Sequence, residues 1–335
     1  MERVDQHRED LYLVEDAQHR TVTPGPIAVE PTKGEAFVEA VVAAGGDVQP
    51  LSGDTRGLVW LSEKRAEELW EILQEYPGIE WVQLPWAGVD AFSEVLAELA
   101  TRPESERPVV TSAKGAYSQP VAEHALALLL ATLRELPQKA RAAQWQAQRT
   151  GLSLFGNRII LVGAGGVARA IIDLLQPFGC DITVVRRDPS VAVEGAARTI
   201  GSDRWHDYLP ECDAVILAAA QTGATRALIG QAELTQMPPH AVLVNIARGP
   251  LVDTDALVEA LESGSIAAAA LDVTDPEPLP DGHALFDIPQ CVITSHSADT
   301  PEMTKPLLAA RVKYNTEAFL SGGALRGVVS VSAGY

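Results

Sequence analysis

Residues 158–171 read RIILVGAGGVARAI. Residues 159–162 are a short apolar run set between Gly156-Asn157 and the glycines that follow, the pattern of a buried strand. Gly163, Gly165 and Ala168 then fill the three small positions of G-x-G-x-x-G/A, and residues 167–175 continue as an apolar helix. The small residues divide the work. Gly163 permits a tight turn, Gly165 lets backbone approach a pyrophosphate, and Ala168 lets the helix pack closely on the strand. Gly166 and Val167 open a helix whose unpaired N–H groups and positive dipole end favour phosphate. With a second strand expected at residues 182–185, the stretch reads as a strand–loop–helix that binds a dinucleotide.

A chain of 335 residues is long for one core and suggests about two domains. Its 47% hydrophobic and 21% charged residues suit a folded globular protein. No apolar run approaches the roughly 18 residues of a membrane span. The opening residues, MERVDQHREDLYLVEDAQ, mix charges and lack an apolar core, unlike a secretory signal. Three scattered cysteines, Cys180, Cys212 and Cys291, lack metal-ligand spacing and suit the reducing cytoplasm. His7, His19, His206, His240 and His283 form no ligand grouping either, so no metal is expected. A net charge of −19 argues against nucleic acid, which needs a basic face.

Residues 1–25 are polar, end in Pro24-Gly25-Pro26 and are expected to form a tail or loosely packed arm. Strands are then expected at 27–29, 48–51, 57–61, 81–84 and 109–111, with helices at 34–44 and 63–76. That alternation implies a parallel sheet covered on both faces. From Pro120 the text VAEHALALLLATLREL is apolar nearly all round, as in a buried or interface helix. A polar excursion, residues 138–155, carries Trp145. Strands follow at 159–162, 181–185, 214–218, 241–245, 267–273 and 291–294, which makes a six-stranded doubly wound sheet. A long helix is expected over 301–320 and a last strand at 327–331, returning to the first domain. The fold class is therefore α/β with two doubly wound parallel-sheet domains. Residues 1–117 and 299–335 form one, and 118–298, the dinucleotide domain, is inserted between them.

Ligands of open parallel sheets sit beyond the carboxyl ends of the strands. Side chains just past those ends are the candidates: residues 87–90 after the strand at 81–84, then Arg248-Gly249, Glu277 and His296. Singly each has a bland reading, as a solvated loop charge or a structural histidine. Their common place at one rim of a nucleotide-binding sheet is what raises them.

The stretches AEHALALLLA, LVGAGGVARAI, VNIARGPLVDTDAL, LDVTDPEPLP and VITSHSA resemble successive motifs of the D-isomer-specific 2-hydroxyacid dehydrogenases, in order and approximate spacing. That family includes glyoxylate/hydroxypyruvate reductases, D-lactate dehydrogenases and D-3-phosphoglycerate dehydrogenases. The resemblance runs from about residue 81 to residue 300; residues 1–80 match only as a generic α/β half. It implies a Rossmann domain inserted into a flavodoxin-like substrate domain, and an active site of Arg248, Glu277 and His296. It also implies a carboxylate-binding loop at Ala87, Gly88 and Val89, and cofactor contacts at Ala247 and Asp272, the latter at the nicotinamide end.

The chemistry suits those residue types. Reduction of a 2-oxo acid needs a hydride at C2 and a proton for the developing alkoxide. His296 can supply that proton, Glu277 can hold and favour the protonated ring, and Arg248 can fork onto carboxylate and carbonyl oxygens. Three departures stand out. Gly166 replaces an arginine common in the glycine loop, Ser295 replaces the proline common before the histidine, and Glu123-His124 lies in the apolar helix, where the family parallel is a subunit interface.

The second strand is expected to end at residue 185, and Arg186, 23 residues after Gly163, follows it with Arg187 beside it. An NAD site of this type has an acidic residue about 20 residues on. Arginines there pair with a 2′-phosphate, so NADP is expected over NAD, the alternative being that Asp188 reaches the ribose. The expected protein is a cytoplasmic homodimer reducing a small 2-oxo acid. The same scaffold also serves as a dinucleotide-sensing corepressor, the competing expectation.

Overall fold

The computed structural model describes residues 7, 8, 12, 20–32 and 34–331. The expected tail therefore lies, up to residue 19, almost wholly outside the described residues. Its end is docked rather than loose: Val22 is 3% exposed, and the Arg20 guanidinium meets Glu80 and donates to the Arg107 carbonyl at 3.0 Å. The chain forms two compact units, Met1–Tyr117 with Thr300–Tyr335, and Ser118–Asp299.

In the first unit the chain runs β1 (Ile27–Glu30), α1 (Glu35–Ala43), β2 (Gly57–Trp60), α2 (Ala66–Glu75), β3 (Trp81–Gln83), α3 (Ser93–Ala100) and β4 (Val109–Thr111). The strands form a parallel sheet in the order β1-β2-β3-β4. The strand expected at 48–51 shrinks to one parallel bridge, Val48 to Ile27, on the outer side of β1. Pro50 lacks the N–H that would extend the ladder. The strand expected at 327–331 likewise reduces to one antiparallel bridge, Val328 to Thr111, because Gly327 turns there at φ +72°. Helix α3 was not foreseen; it buries Val95, Leu96 and Leu99.

The second unit runs α4 (Ser118–Leu133), α5 (Leu136–Ala140), β5 (Arg158–Val162), α6 (Gly166–Leu175), β6 (Asp181–Arg186), β7 (Arg198–Gly201), β8 (Ala214–Leu217), α7 (Gln231–Gln236), β9 (Val242–Asn245), α8 (Thr254–Ser263), β10 (Ala268–Leu271), α9 (Ala284–Asp287) and β11 (Cys291–Ile293). Its parallel sheet has seven strands, not the expected six, in the order β11-β10-β9-β8-β5-β6-β7. The added strand is β7, a short edge strand of mostly polar residues. Its Arg198 holds both Asp181 carboxylate oxygens, at 2.9 and 3.1 Å, an ion pair that hydrophobic patterning cannot register.

The chain then returns to the first unit as α10 (Pro301–Ser321). Its inner stripe is Thr304, Leu307, Leu308, Arg311, Val312, Asn315, Thr316 and Phe319, all buried. Two polar members of that stripe, Arg311 and Asn315, bond to the sheet and its loops. Arg311 donates to the Ser112 and Lys114 carbonyls at 2.8 and 3.0 Å, and Asn315 to Gln83 Oε1 at 2.8 Å.

β5 is where the nucleotide sheet changes direction: β6 and β7 lie on one side, β8 to β11 on the other. Gly163, directly after β5, has φ +118°, and a Cβ there would stand 2.5 Å from the Ala218 carbonyl oxygen. The turn thus needs glycine for both conformation and space. Gly163→Ala is expected to lower stability by about 3 kcal/mol or more. A urea unfolding midpoint equal to that of the wild type would overturn this account of the turn.

Candidate active site

The loop from Gly163 to α6 fits a dinucleotide on its geometry. Gly165 is the N-cap of α6 in extended backbone, and no side chain caps the helix. A Cβ on Gly165 would meet nothing within 4 Å, so neither the fold nor a neighbour demands glycine there. Open space over an uncapped helix end is what a diphosphate needs. Gly166 is buried at the helix start and Val167 partly buried beside it. Arg186 ends β6, and its guanidinium donates to the Val191 carbonyl at 3.2 Å, while Arg187 is exposed beside it. Asp188 turns into its own loop: Oδ1 accepts from the Ser190 amide at 3.0 Å. The side-chain and backbone hydrogen bonds from Ser190, with Arg186 nearby, hold the Asp188 carboxyl below its usual range.

Across the sheet, β9 ends in Asn245, which is fully buried and builds the arginine turn. Its Oδ1 accepts from the Ala247 amide at 3.0 Å and its Nδ2 donates to the Arg248 carbonyl at 2.9 Å. The Arg248 guanidinium donates to the Ala247 carbonyl at 2.7 Å. Gly249 lies flat against the backbone of Thr274 and Asp275, with no room for a Cβ. Thr254 Oγ1 donates to the Asp275 carbonyl at 2.6 Å from the other side. The turn that carries Arg248 and the loop that carries Glu277 are therefore fixed against one another. Sequence reading passed over Asn245; a polar residue closing an apolar strand was the signal available.

His296 Nδ1 lies 2.6 Å from Glu277 Oε1, and both side chains are exposed, at 46% and 42%. With Nδ1 engaged, Nε2 is the nitrogen left for proton exchange. Ser295 and His296 both have positive φ, +51° and +53°. Proline is fixed near about −65°, so the serine here accompanies a turn that proline cannot form. Asp272, 2% exposed and just beyond β10, braces that turn. Its carbonyl accepts from the His296 amide at 2.6 Å, Oδ1 from the Ser297 amide at 2.8 Å, and Oδ2 from the Ala298 amide at 3.2 Å. Burial pushes the Asp272 carboxyl up, but hydrogen bonds from His124, Thr294 and Ser297 outweigh it and bring it down to about 2. Nearby Asp299 goes the other way. Burial raises it, Asp272 adds to the rise, and the charges of His296 and Arg248 temper it, leaving it at about 6.

His124, on α4, reaches this rim: Nε2 is 2.9 Å from Thr294 Oγ1 and 3.3 Å from Asp272 Oδ1. In the first unit, residues 85–89 follow β3 and are tied down by Tyr117 Oη on the Pro85 carbonyl at 2.8 Å and the Ala113 amide on the Trp86 carbonyl at 3.0 Å. Ala87 is exposed and Gly88 partly so, whereas Val89 sits in the core at 4%. What Val89 can offer a ligand is its backbone. His206, His240 and His283 serve locally, on Glu233, on Asp213 and as the cap of the Leu285 amide.

The family described as D-isomer specific 2-hydroxyacid dehydrogenase, NAD binding domain, matches residues 125–298, more than half of the chain. An uncharacterized protein in the proB 3′ region of Corynebacterium melassecola is 36% identical over 262 residues, covering 77% of this chain and 84% of that one. The glyoxylate reductase of Aeropyrum pernix is 33% identical over 226 residues, covering 64% of this chain and 67% of that one. Among solved structures, a D-isomer specific 2-hydroxyacid dehydrogenase from Xanthobacter autotrophicus Py2, in complex with NADPH and MES, superposes with a TM-score of 0.76. It is 26% identical, over 93% of this chain and 100% of that one. A Rossmann sheet with its glycine turn at the switch point, together with a second parallel-sheet unit in the chain, agrees with those matches: the chain belongs to the NAD(P)-dependent D-isomer specific 2-hydroxyacid dehydrogenases.

Proposed function

We propose that this protein reduces a small 2-oxo acid of glyoxylate or hydroxypyruvate size to the D-2-hydroxy acid, with NADPH preferred over NADH. The observation that carries the reading is the His296–Glu277 pair at 2.6 Å, on the same sheet rim as the glycine turn. When bound, the reduced nicotinamide supplies the hydride to C2. His296 donates the Nε2 proton to the oxygen that becomes the hydroxyl, and Glu277 holds the imidazolium in orientation through Nδ1. Arg248 pairs with the substrate carboxylate and polarises the carbonyl. Backbone amides at Ala87, Gly88 and Val89 are assigned to the remaining carboxylate oxygen. Amides of Gly163, Gly165, Gly166 and Val167 are assigned to the diphosphate, with Ala247 and Asp272 toward the nicotinamide. The intact acid–base pair favours an enzyme over a corepressor, which would not require one. The glyoxylate reductase of Aeropyrum pernix supports the substrate class.

The test is oxidation of NADPH by the purified protein with a panel of 2-oxo acids. Turnover of glyoxylate or hydroxypyruvate is expected; no turnover of any 2-oxo acid would overturn the reading. His296→Ala is expected to lower kcat by about 10²–10⁴ with nucleotide affinity little changed, the usual worth of a positioned acid–base group. Near-normal turnover would remove His296 from that role.

The preference for NADPH rests on Arg186 and Arg187 at the end of β6 and on Asp188 being committed to Ser190. The Xanthobacter autotrophicus relative was solved with NADPH. A guanidinium there pairs with the 2′-phosphate, where a carboxylate would repel it. The ratio of kcat/KM for NADPH to that for NADH is expected to exceed one, and Arg186→Asp to lower it by about tenfold or more, the worth of one charge-assisted pair. A wild type that favours NADH would contradict the assignment.

A homodimer formed through the second unit fits its exposed apolar side chains: Trp145 is 95% exposed, Phe155 67% and Leu152 47%. Patches of that kind mark partner surfaces. Free Cys180, Cys212 and Cys291 suit a reducing, cytoplasmic setting. Light scattering at micromolar concentration should give twice the chain mass, and the single-chain mass would exclude the dimer.

A further inference from the structure

We propose that His124 is a positioning residue for the reaction: from α4 it clamps Thr294 and Asp272, so that the left-handed turn at Ser295 and His296 presents the acid–base imidazole in one place. The proposal deepens the function assigned above and rests on it.

The need for a clamp follows from the backbone. Two consecutive non-glycine residues at φ +51° and +53° are in sparsely populated, strained conformations. Such a turn persists where its surroundings over-determine it. Here the determinants are the hydrogen bonds of the Asp272 main chain and carboxylate to residues 296, 297 and 298. A buried carboxylate can brace a loop only while it is itself held, and Thr294 and His124 hold it.

The hydrogens assign themselves. Asp272 is ionised and accepts, so at 2.7 Å the Thr294 hydroxyl must donate to Oδ1. That uses the one hydroxyl hydrogen, so the oxygen can meet His124 Nε2, 2.9 Å away, only as acceptor. Nε2 therefore carries a proton, and at 3.3 Å that same N–H also lies near Oδ1. His124 belongs to α4, a helix that packs on α6 and across β9 and β10. The clamp thus ties the turn to a rigid element distant in sequence. Removing the His124 donor leaves Thr294 and Asp272 short of a partner in a largely buried place, which frees the turn to relax.

Two substitutions in the full-length protein separate positioning from mere packing. His124→Leu removes the donor and keeps an apolar side chain; His124→Gln places an amide N–H near the position of Nε2. With the best 2-oxo acid, His124→Leu should lower kcat by about tenfold to a hundredfold, since small displacements of a catalytic group cost rates of that order. Its Kd for NADPH should stay within about threefold, because the diphosphate and ribose contacts lie elsewhere on the rim. His124→Gln should recover kcat to within about threefold of the wild type. In parallel, amide hydrogen exchange at Ser297 and Ala298 should quicken in His124→Leu and return to the wild-type rate in His124→Gln. An unchanged kcat in His124→Leu, or equal losses of kcat and nucleotide affinity that Gln does not rescue, would overturn the proposal. Should the wild type reduce no 2-oxo acid, the functional reading falls, and the exchange rates alone judge the clamp. Unaltered exchange in His124→Leu then defeats it.

Discussion

Parallel strands covered on both faces leave polar side chains nowhere to go except the strand ends. Every strand of the nucleotide sheet pairs in parallel, and its five inner strands are buried almost throughout. In such a sheet a hydrogen-bonding side chain inside a strand would be costly, so polarity collects where the strand stops. Asn245 closes β9, Asp272 follows β10 and Thr294 follows β11. Those three residues share one rim because parallel strands end on the same side. The candidate site is thus the place where the sheet tolerates polar chemistry.

Rigidity at that rim comes from backbone pressed on backbone rather than from side-chain packing. Gly163 lies against Ala218, and Gly249 against Thr274 and Asp275. At both places the absence of a Cβ lets two loops share a position that any other residue would force apart. One contact fixes the diphosphate turn; the other fixes Arg248 relative to the loop of Glu277. Asp272 adds a third constraint of a different kind, a charge satisfied by three loop groups and a histidine. A group that burial alone would push toward neutrality stays ionised because its acceptors are used. Asp299, lacking such partners in number, is shifted the opposite way on the neighbouring loop.

Much of this was legible in the text of the chain. The glycine turn and most strands around it could be read from patterning and spacing, while Arg248, Glu277 and His296 stood out as side chains past strand ends and took their expected roles from the resemblance. What escaped was whatever hydrophobic patterning cannot express. β7 holds to the sheet by the Arg198–Asp181 pair, and the segments at Val48 and Val328 amount to single bridges, since Pro50 and Gly327 stop the ladder. The buried stripe of α10 carries Thr304, Arg311, Asn315 and Thr316, so its period is clear in structure and blurred in sequence. The contacts of His124 at the rim escaped for a related reason. In a helix apolar nearly all round, nothing local says which face a lone histidine occupies, and its partners lie far along the chain, 170 residues on in the case of Thr294.

The uniform apolarity of α4 resolves once its sides are told apart. Ala122, Ala125, Leu128, Leu129 and Leu133 are buried where the helix packs on α6 and over β9 and β10. Beside that face His124 meets the rim, while Glu123 and Ala127 are exposed. The helix then leads through α5 into residues 141–155, exposed apart from Leu154 and carrying the aromatic side chains Trp145 and Phe155. A single helix thereby connects the brace of the turn at Ser295 and His296 to the surface proposed to meet a second copy. Its dense apolar lining follows from having a sheet to cover and a surface to present. The histidine is tolerated in it because Thr294 and Asp272 satisfy its N–H, as a half-buried polar group in such a helix requires.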